Sequence, residues 1–253
     1  MKKSCLIIHI PHSSLRLPKM FKSKCLLTKE QLKKENLILT DLYTNRFFNR
    51  TKYNIIRFKY SRLFLDVEKF KDDKKEIMSK VGMGVIYTKT INKDKLIGYD
   101  KKYKDFVISK YYDKYHKYID KLVDKNLKKY NKCFILDFHS FSNLQVRELL
   151  GYNDTCDICI GTDEFFSDKR INKFTYKYFK DLGYNVKFNF PYQGTYISSE
   201  AYKNKDRRVK SIMIEINKKI YVNDKFKLNN KKFYKLKKDM NNYVKILNQF
   251  IKN

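Results

Sequence analysis

The chain has 253 residues, 42% of them hydrophobic and 16% aromatic, with a formal net charge of +30. This excludes a disordered chain and suffices for one large domain with its own core, expected to span residues 1–253. No apolar run reaches the roughly eighteen residues of a membrane span, and the apolar stretch near the N-terminus, about six residues, is shorter than the roughly seven to fifteen of a secretory signal, so a cytoplasmic protein is expected.

In chain order, Cys5–Ile10 reads as a buried strand ending at Pro11, and Thr28-Lys29-Glu30-Gln31 is a capping box that opens a helix. Asp41–Arg50 has a helical pattern, and Asn54–Phe58 and Leu63–Val67 look like strands. From Asp100 to Lys129 the apolar positions Tyr103, Phe106, Val107, Tyr111, Tyr118, Leu122 and Leu127 recur near helical spacing. Cys133–Phe138, Asp157–Ile160, Val186–Phe190 and Ser211–Ile216 follow as strands, with a helix at Lys169–Leu182. A last helix carries Phe233, Leu236, Met240, Tyr243, Leu247 and Ile251 on one face. Strands spaced by helices predict an α/β fold: a mostly parallel or mixed twisted sheet with helices on both faces.

The positive charge is carried overwhelmingly by Lys, with only nine Arg, spread along the whole chain beside abundant Asn, Ile and Tyr. Phosphate and base readers favour the Arg fork, and the joint bias is what AT-rich coding produces, so nucleic acid is not the expected partner. The odd count of five cysteines points to reduced, structural thiols. Cys156 and Cys159 form a C-x-x-C inside a strand, with no second pair to complete a Cys₄ metal site.

In α/β sheets ligands bind beyond the carboxyl ends of the strands. Those ends carry Pro11-His12-Ser13-Ser14, Asp137-Phe138-His139-Ser140 and Ile214-Glu215-Ile216-Asn217. Two of the four histidines and a glutamate would therefore meet on one rim. Two neutral imidazoles and a carboxylate are the ligand set of many catalytic zinc sites, and a further carboxylate can act as general base. By strand alternation, His9 is expected to face away from His12. His116, inside the long helix among tyrosines, is expected to be structural or to support the site from behind.

Nine short segments then occur in one order between residue 10 and about residue 221. They are Ile10–Ser14, Thr40–Tyr43, Ser61–Phe70, Gly82–Tyr87, Tyr111–His116, Leu136–Ser140, Asp157–Thr162, Pro191–Gly194 and Ile214–Asn217. In these the chain resembles the N-formylglutamate amidohydrolase family, related in fold to zinc carboxypeptidases and aspartoacylase. The resemblance implies a phosphorylase/hydrolase-like fold, one zinc ion, and hydrolysis of a small N-acyl amino acid, in the family reaction to formate and L-glutamate. It carries His12 and His139 over as zinc ligands. The related hydrolases take a Glu three residues after the first His, but Leu15 stands there. Asp41 is the expected substitute, with an N-cap as its alternative role. Glu215 matches the general base. Arg62 would bind the substrate carboxylate, with Asp66 orienting it, and Lys69 stands where the family usually has Arg. Tyr192 and Gln193 belong to an expected substrate loop, and Gly82 and Gly84 to another. Two alternatives stay open: a different N-acyl amino acid or peptide amide as substrate, or a basic nucleic-acid-binding protein on a degenerate hydrolase scaffold.

Overall fold

The computed structural model describes residues 4–49 and 51–252. Six strands form one sheet: β1 (Leu6–Ile10), β2 (Asn54–Arg57), β3 (Cys133–Phe141), β4 (Ile158–Gly161), β5 (Val186–Phe188) and β6 (Val209–Asn217). Their order is β2-β1-β3-β6-β4-β5, and every neighbouring pair is parallel except β4 with β6. The α/β fold with a mixed sheet is as expected. The helices are α1 (Lys19–Lys22), α2 (Lys29–Leu39), α3 (Lys101–Val107), α4 (Asp113–Tyr130), α5 (Asn143–Leu150), α6 (Lys169–Asp181), α7 (Ser199–Asn204) and α8 (Asn230–Phe250). Among the described residues no helix is long and apolar enough to cross a membrane.

Alternation along the strands divides the core in two. Ile7 and Ile135 pack on one face with Ile38, Val107, Ile119 and Val123 from α2, α3 and α4. Leu6, Ile8, Ile10, Leu136, Phe138, Ile212 and Ile214 pack on the other, against Phe179 of α6 and Leu236, Met240, Tyr243 and Leu247 of α8. β1, β3 and β6 are buried almost throughout, which is why they read as continuous apolar runs rather than alternating ones.

Three expectations fail for identifiable reasons. Leu63–Val67 is not a strand but a succession of turns, fixed by Ser61, whose carbonyl accepts from Phe64 and Leu65 N–H, and tied by Asp66 N–H to Val85 O. Its residues are apolar because they are buried, not because they are extended. The Asp41–Arg50 helix shrinks to a single 3₁₀ turn, Thr44–Arg46, entered through Tyr43 at φ 65°; Arg50 lies outside the described residues. The long helix is present, but a π turn at Ile108–Tyr112 joins α3 to α4. The extra residue shifts the helical phase, so Tyr115, His116, Ile119, Val123 and Asn126 face inward and Tyr118 is exposed.

Gly161, the last residue of β4, permits a close approach. A Cβ there would lie 2.2 Å from the Gly194 carbonyl and 2.4 Å from Met213 Cε. Gly161→Ala is therefore expected to push the Tyr192–Gly194 loop away and cost about 1–3 kcal/mol, the range for overpacking. Urea unfolding checks it; an unchanged midpoint would contradict the close approach.

Candidate active site

Register brings the candidate residues together. On the three central strands, His9 of β1 lies beside Asp137 of β3, and His139 of β3 beside Glu215 of β6. β1 ends at Ile10, so His12 sits in the following turn, where its carbonyl accepts from Asp41 N–H at 3.0 Å. The buried Lys218, just after β6, donates to the carbonyls of Ile38 (2.7 Å) and Thr40 (2.9 Å), closing the end of α2 beside Asp41. Burial pushes its ammonium down to about 8.

His9, His12 and His139 are each held by a carboxylate. His12 Nε2 donates to Asp66 Oδ1 at 2.8 Å. The other Asp66 oxygen accepts from Arg62 Nε (3.2 Å), Arg62 Nη2 (2.8 Å) and the Tyr87 hydroxyl (2.9 Å). Burial opposes the Asp66 charge, but Arg62 and His12 outweigh it and hold the carboxyl well below the usual range. His139 donates from Nε2 to Asp137 Oδ1 at 2.8 Å and from Nδ1 to Asp41 Oδ2 at 3.2 Å. Burial disfavours its charge, yet Asp137 and then Glu68 raise the imidazole well above its ordinary value. Asp137 also accepts from His9 Nδ1 (2.9 Å) and Tyr196 N–H (2.9 Å).

Glu68 lies between these groups. Its carboxylate is 3.5 Å from His12 Nδ1, 3.3 Å from His139 Nε2 and 3.5 Å from His9 Nδ1. His12, Glu68 and His139 each offer one donor atom, all within 4.8 Å of one another. His9, Glu68 and Asp137 form a second such cluster that shares the same carboxylate. His12 Nδ1, Asp41 Oδ1, Glu68 Oε1 and Glu215 Oε2 are buried without a hydrogen-bond partner. A buried polar atom left unpaired is costly, and His12, Glu68 and Glu215 line one cavity, with Asp41 behind it. With its Nε2–H committed to Asp66, His12 presents the Nδ1 lone pair, the arrangement by which a carboxylate fixes a metal-binding imidazole. Two imidazoles and one carboxylate at this spacing fit a divalent cation such as zinc.

Glu215 faces the same cavity, which measures about 280 Å³. Burial raises its carboxyl to about 8; the His139 charge pulls the other way and the Asp41 charge reinforces the rise. Of the residues expected from the sequence, His12, His139, Arg62, Lys69, Tyr192, Gln193 and Glu215 all line this cavity. Asp41 is buried behind it; its carboxylate meets His139 and stays 3.9 Å from His12 Nδ1, and the N-cap of the nearby 3₁₀ turn is Tyr43.

Sequence reasoning missed Glu68, Asp137 and the position of His9. Alternation placed His9 opposite His12, but the strand period stops at Ile10, and both rings approach Glu68. Glu68 directly follows Leu63–Val67, the segment expected to be a strand; its donation from N–H to Asp66 Oδ1 (3.1 Å) belongs to a turn. Asp137 could have been found two residues before His139 on the same strand face. His116 does not line this cavity. Its Nε2 donates to Val67 O at 2.8 Å, its Nδ1 accepts from the Tyr196 hydroxyl at 3.1 Å, and burial lowers its pKa to about 4.

Comparison with known proteins agrees with this picture. The family model described as N-formylglutamate amidohydrolase matches residues 4–222. No curated protein sequence matches the chain. Among solved structures, an N-formylglutamate amidohydrolase from Ralstonia eutropha is similar with a TM-score of 0.82 at 19% identity, over 99% of this chain and 95% of that one. A gene product from Agrobacterium tumefaciens is similar with a TM-score of 0.68 at 16% identity, over 97% and 92%. With 219 of its 253 residues inside the match, the chain belongs to the N-formylglutamate amidohydrolase family.

Proposed function

We propose that the protein is a zinc-dependent hydrolase that cleaves the amide of an N-acyl amino acid, with an N-formyl group as the acyl part, releasing formate and the free amino acid. The observation that carries this reading is the meeting of His12, His139 and Glu68, with His12 Nδ1 and Glu68 Oε1 buried and unpaired, beside Glu215 in one cavity. Zinc, when bound, supplies a polarised acyl oxygen and a water whose pKa falls from about 16 toward about 7. His12, Glu68 and His139 would hold it, His139 through Nε2 in place of the proton it shares with Asp137, with Asp66 and Asp41 fixing the two rings from behind.

Glu215 takes the proton from the attacking water and delivers it to the leaving nitrogen as the carbon–nitrogen bond breaks. Burial raises its carboxyl and so strengthens it as a base. Arg62 receives the substrate carboxylate, for which a planar guanidinium is suited. Asp66 holds that guanidinium from behind. Lys69, Tyr192 and Gln193 complete the wall around the substrate.

The test is formate release from N-formyl-L-glutamate and other N-formyl amino acids, before and after chelation. Activity lost on chelation and restored by zinc supports the reading. Activity indifferent to a strong chelator, in protein free of metal, would end it.

A further inference from the structure

We infer that the substrate carries an apolar side chain of about leucine or methionine size and a single carboxylate, so that N-formyl derivatives of such amino acids are preferred to N-formyl-L-glutamate. This rests on the hydrolase reading above and narrows its substrate.

The cavity can satisfy one carboxylate but is poorly equipped for two. Apart from the histidines, its cationic side chains among the described residues are Arg62 and Lys69. Arg62 commits Nε and Nη2 to Asp66, but a guanidinium has five N–H donors, so it retains donors for one further carboxylate. Lys69 is already matched. Its Nζ lies 3.3 Å from Glu76 Oε1, and Glu76 is itself fixed by the N–H groups of Phe70 (3.2 Å) and Met78 (3.1 Å). The remaining charged groups of the wall, apart from the two histidines, are Glu68 and Glu215. Once Arg62 has taken the first, a second substrate carboxylate would enter a largely desolvated space in which no side-chain cation is left free of an acidic partner, which is unfavourable.

The rest of the wall is mainly apolar, with the uncharged polar side chains of Ser140, Gln145, Gln193 and two tyrosines among it. Leu39, Met78, Met83, Phe141, Leu149 and Met213 line it. Three of the chain's six methionines are gathered here, and the flexible thioether adapts to irregular apolar shapes. At about 280 Å³ the cavity suits a small ligand, and apolar walls with a few placed polar groups are the usual composition of such sites.

The experiment compares kcat/KM of the zinc-loaded protein for N-formyl-L-methionine, N-formyl-L-leucine and N-formyl-L-glutamate. Its partner measurement is the same comparison on Leu149→Lys, which adds a cation to the apolar wall. The expected result is a preference of roughly 10-fold or more for the apolar substrates, the low end of what pocket complementarity gives. Leu149→Lys should reduce that preference, chiefly through a lower KM for the glutamate derivative. Equal or better turnover of N-formyl-L-glutamate by the wild type would overturn the inference and leave the hydrolase reading standing. No formate from any of the three would overturn both.

Discussion

Glu215→Gln is expected to lower kcat by roughly 10²–10⁴-fold, the usual contribution of a positioned general acid–base, with metal content unchanged. Glutamine keeps the shape of the side chain but cannot accept a proton. Glu215 Oε2 is buried with no hydrogen-bond partner, so the substitution removes no hydrogen bond from that oxygen. Its neighbour in register, His139, keeps its own contacts to Asp137 and Asp41. The variant should therefore fold and bind zinc like the wild type, and steady-state kinetics with metal analysis separates the two effects. A variant with full activity would remove Glu215 from proton transfer; one that loses its metal would make it a ligand instead.

The second large effect concerns the third ligand. Glu68→Ala is expected to weaken zinc binding by more than about 100-fold, whereas Asp41→Asn should weaken it by roughly 10–100-fold, the range for a group that orients a ligand. Glu68 offers a donor atom within 4.8 Å of those of both His12 and His139. Asp41 instead accepts from His139 Nδ1 and lies 3.9 Å from His12 Nδ1. Its carboxyl is lowered: burial opposes the charge, but the His139 hydrogen bond and charge prevail. Titration against a competing chelator measures both variants. The opposite order would return Asp41 to the metal and make Glu68 the orienting group.

Much of this architecture was legible because strong periodic signals survive burial. β1, β3 and β6 were recognisable as apolar runs, and the terminal helix α8 as a stripe from Phe233 to Leu247. The strand-end rule then brought His12, His139 and Glu215 onto one rim, and all three line one cavity. What was lost lay where backbone departs from regular periods. The π turn at Ile108–Tyr112 displaced the buried face of the long helix. The turns through Leu63–Val67 hid Glu68, because a carboxylate in irregular backbone has no period to reveal which way it points. His9 was misplaced by extending strand alternation two residues past the end of β1. The Asp41 helix failed because its side chain serves His139 rather than a helix N-terminus.

The most direct test of the whole account is the metal content of carefully prepared protein, measured together with formate release from N-formyl amino acids by the same sample. The account predicts roughly one zinc ion per chain, the stoichiometry of a single two-histidine, one-carboxylate catalytic site, with formate produced in proportion to bound metal. Folded protein that neither retains nor takes up zinc, or that releases formate without it, would contradict the central claim.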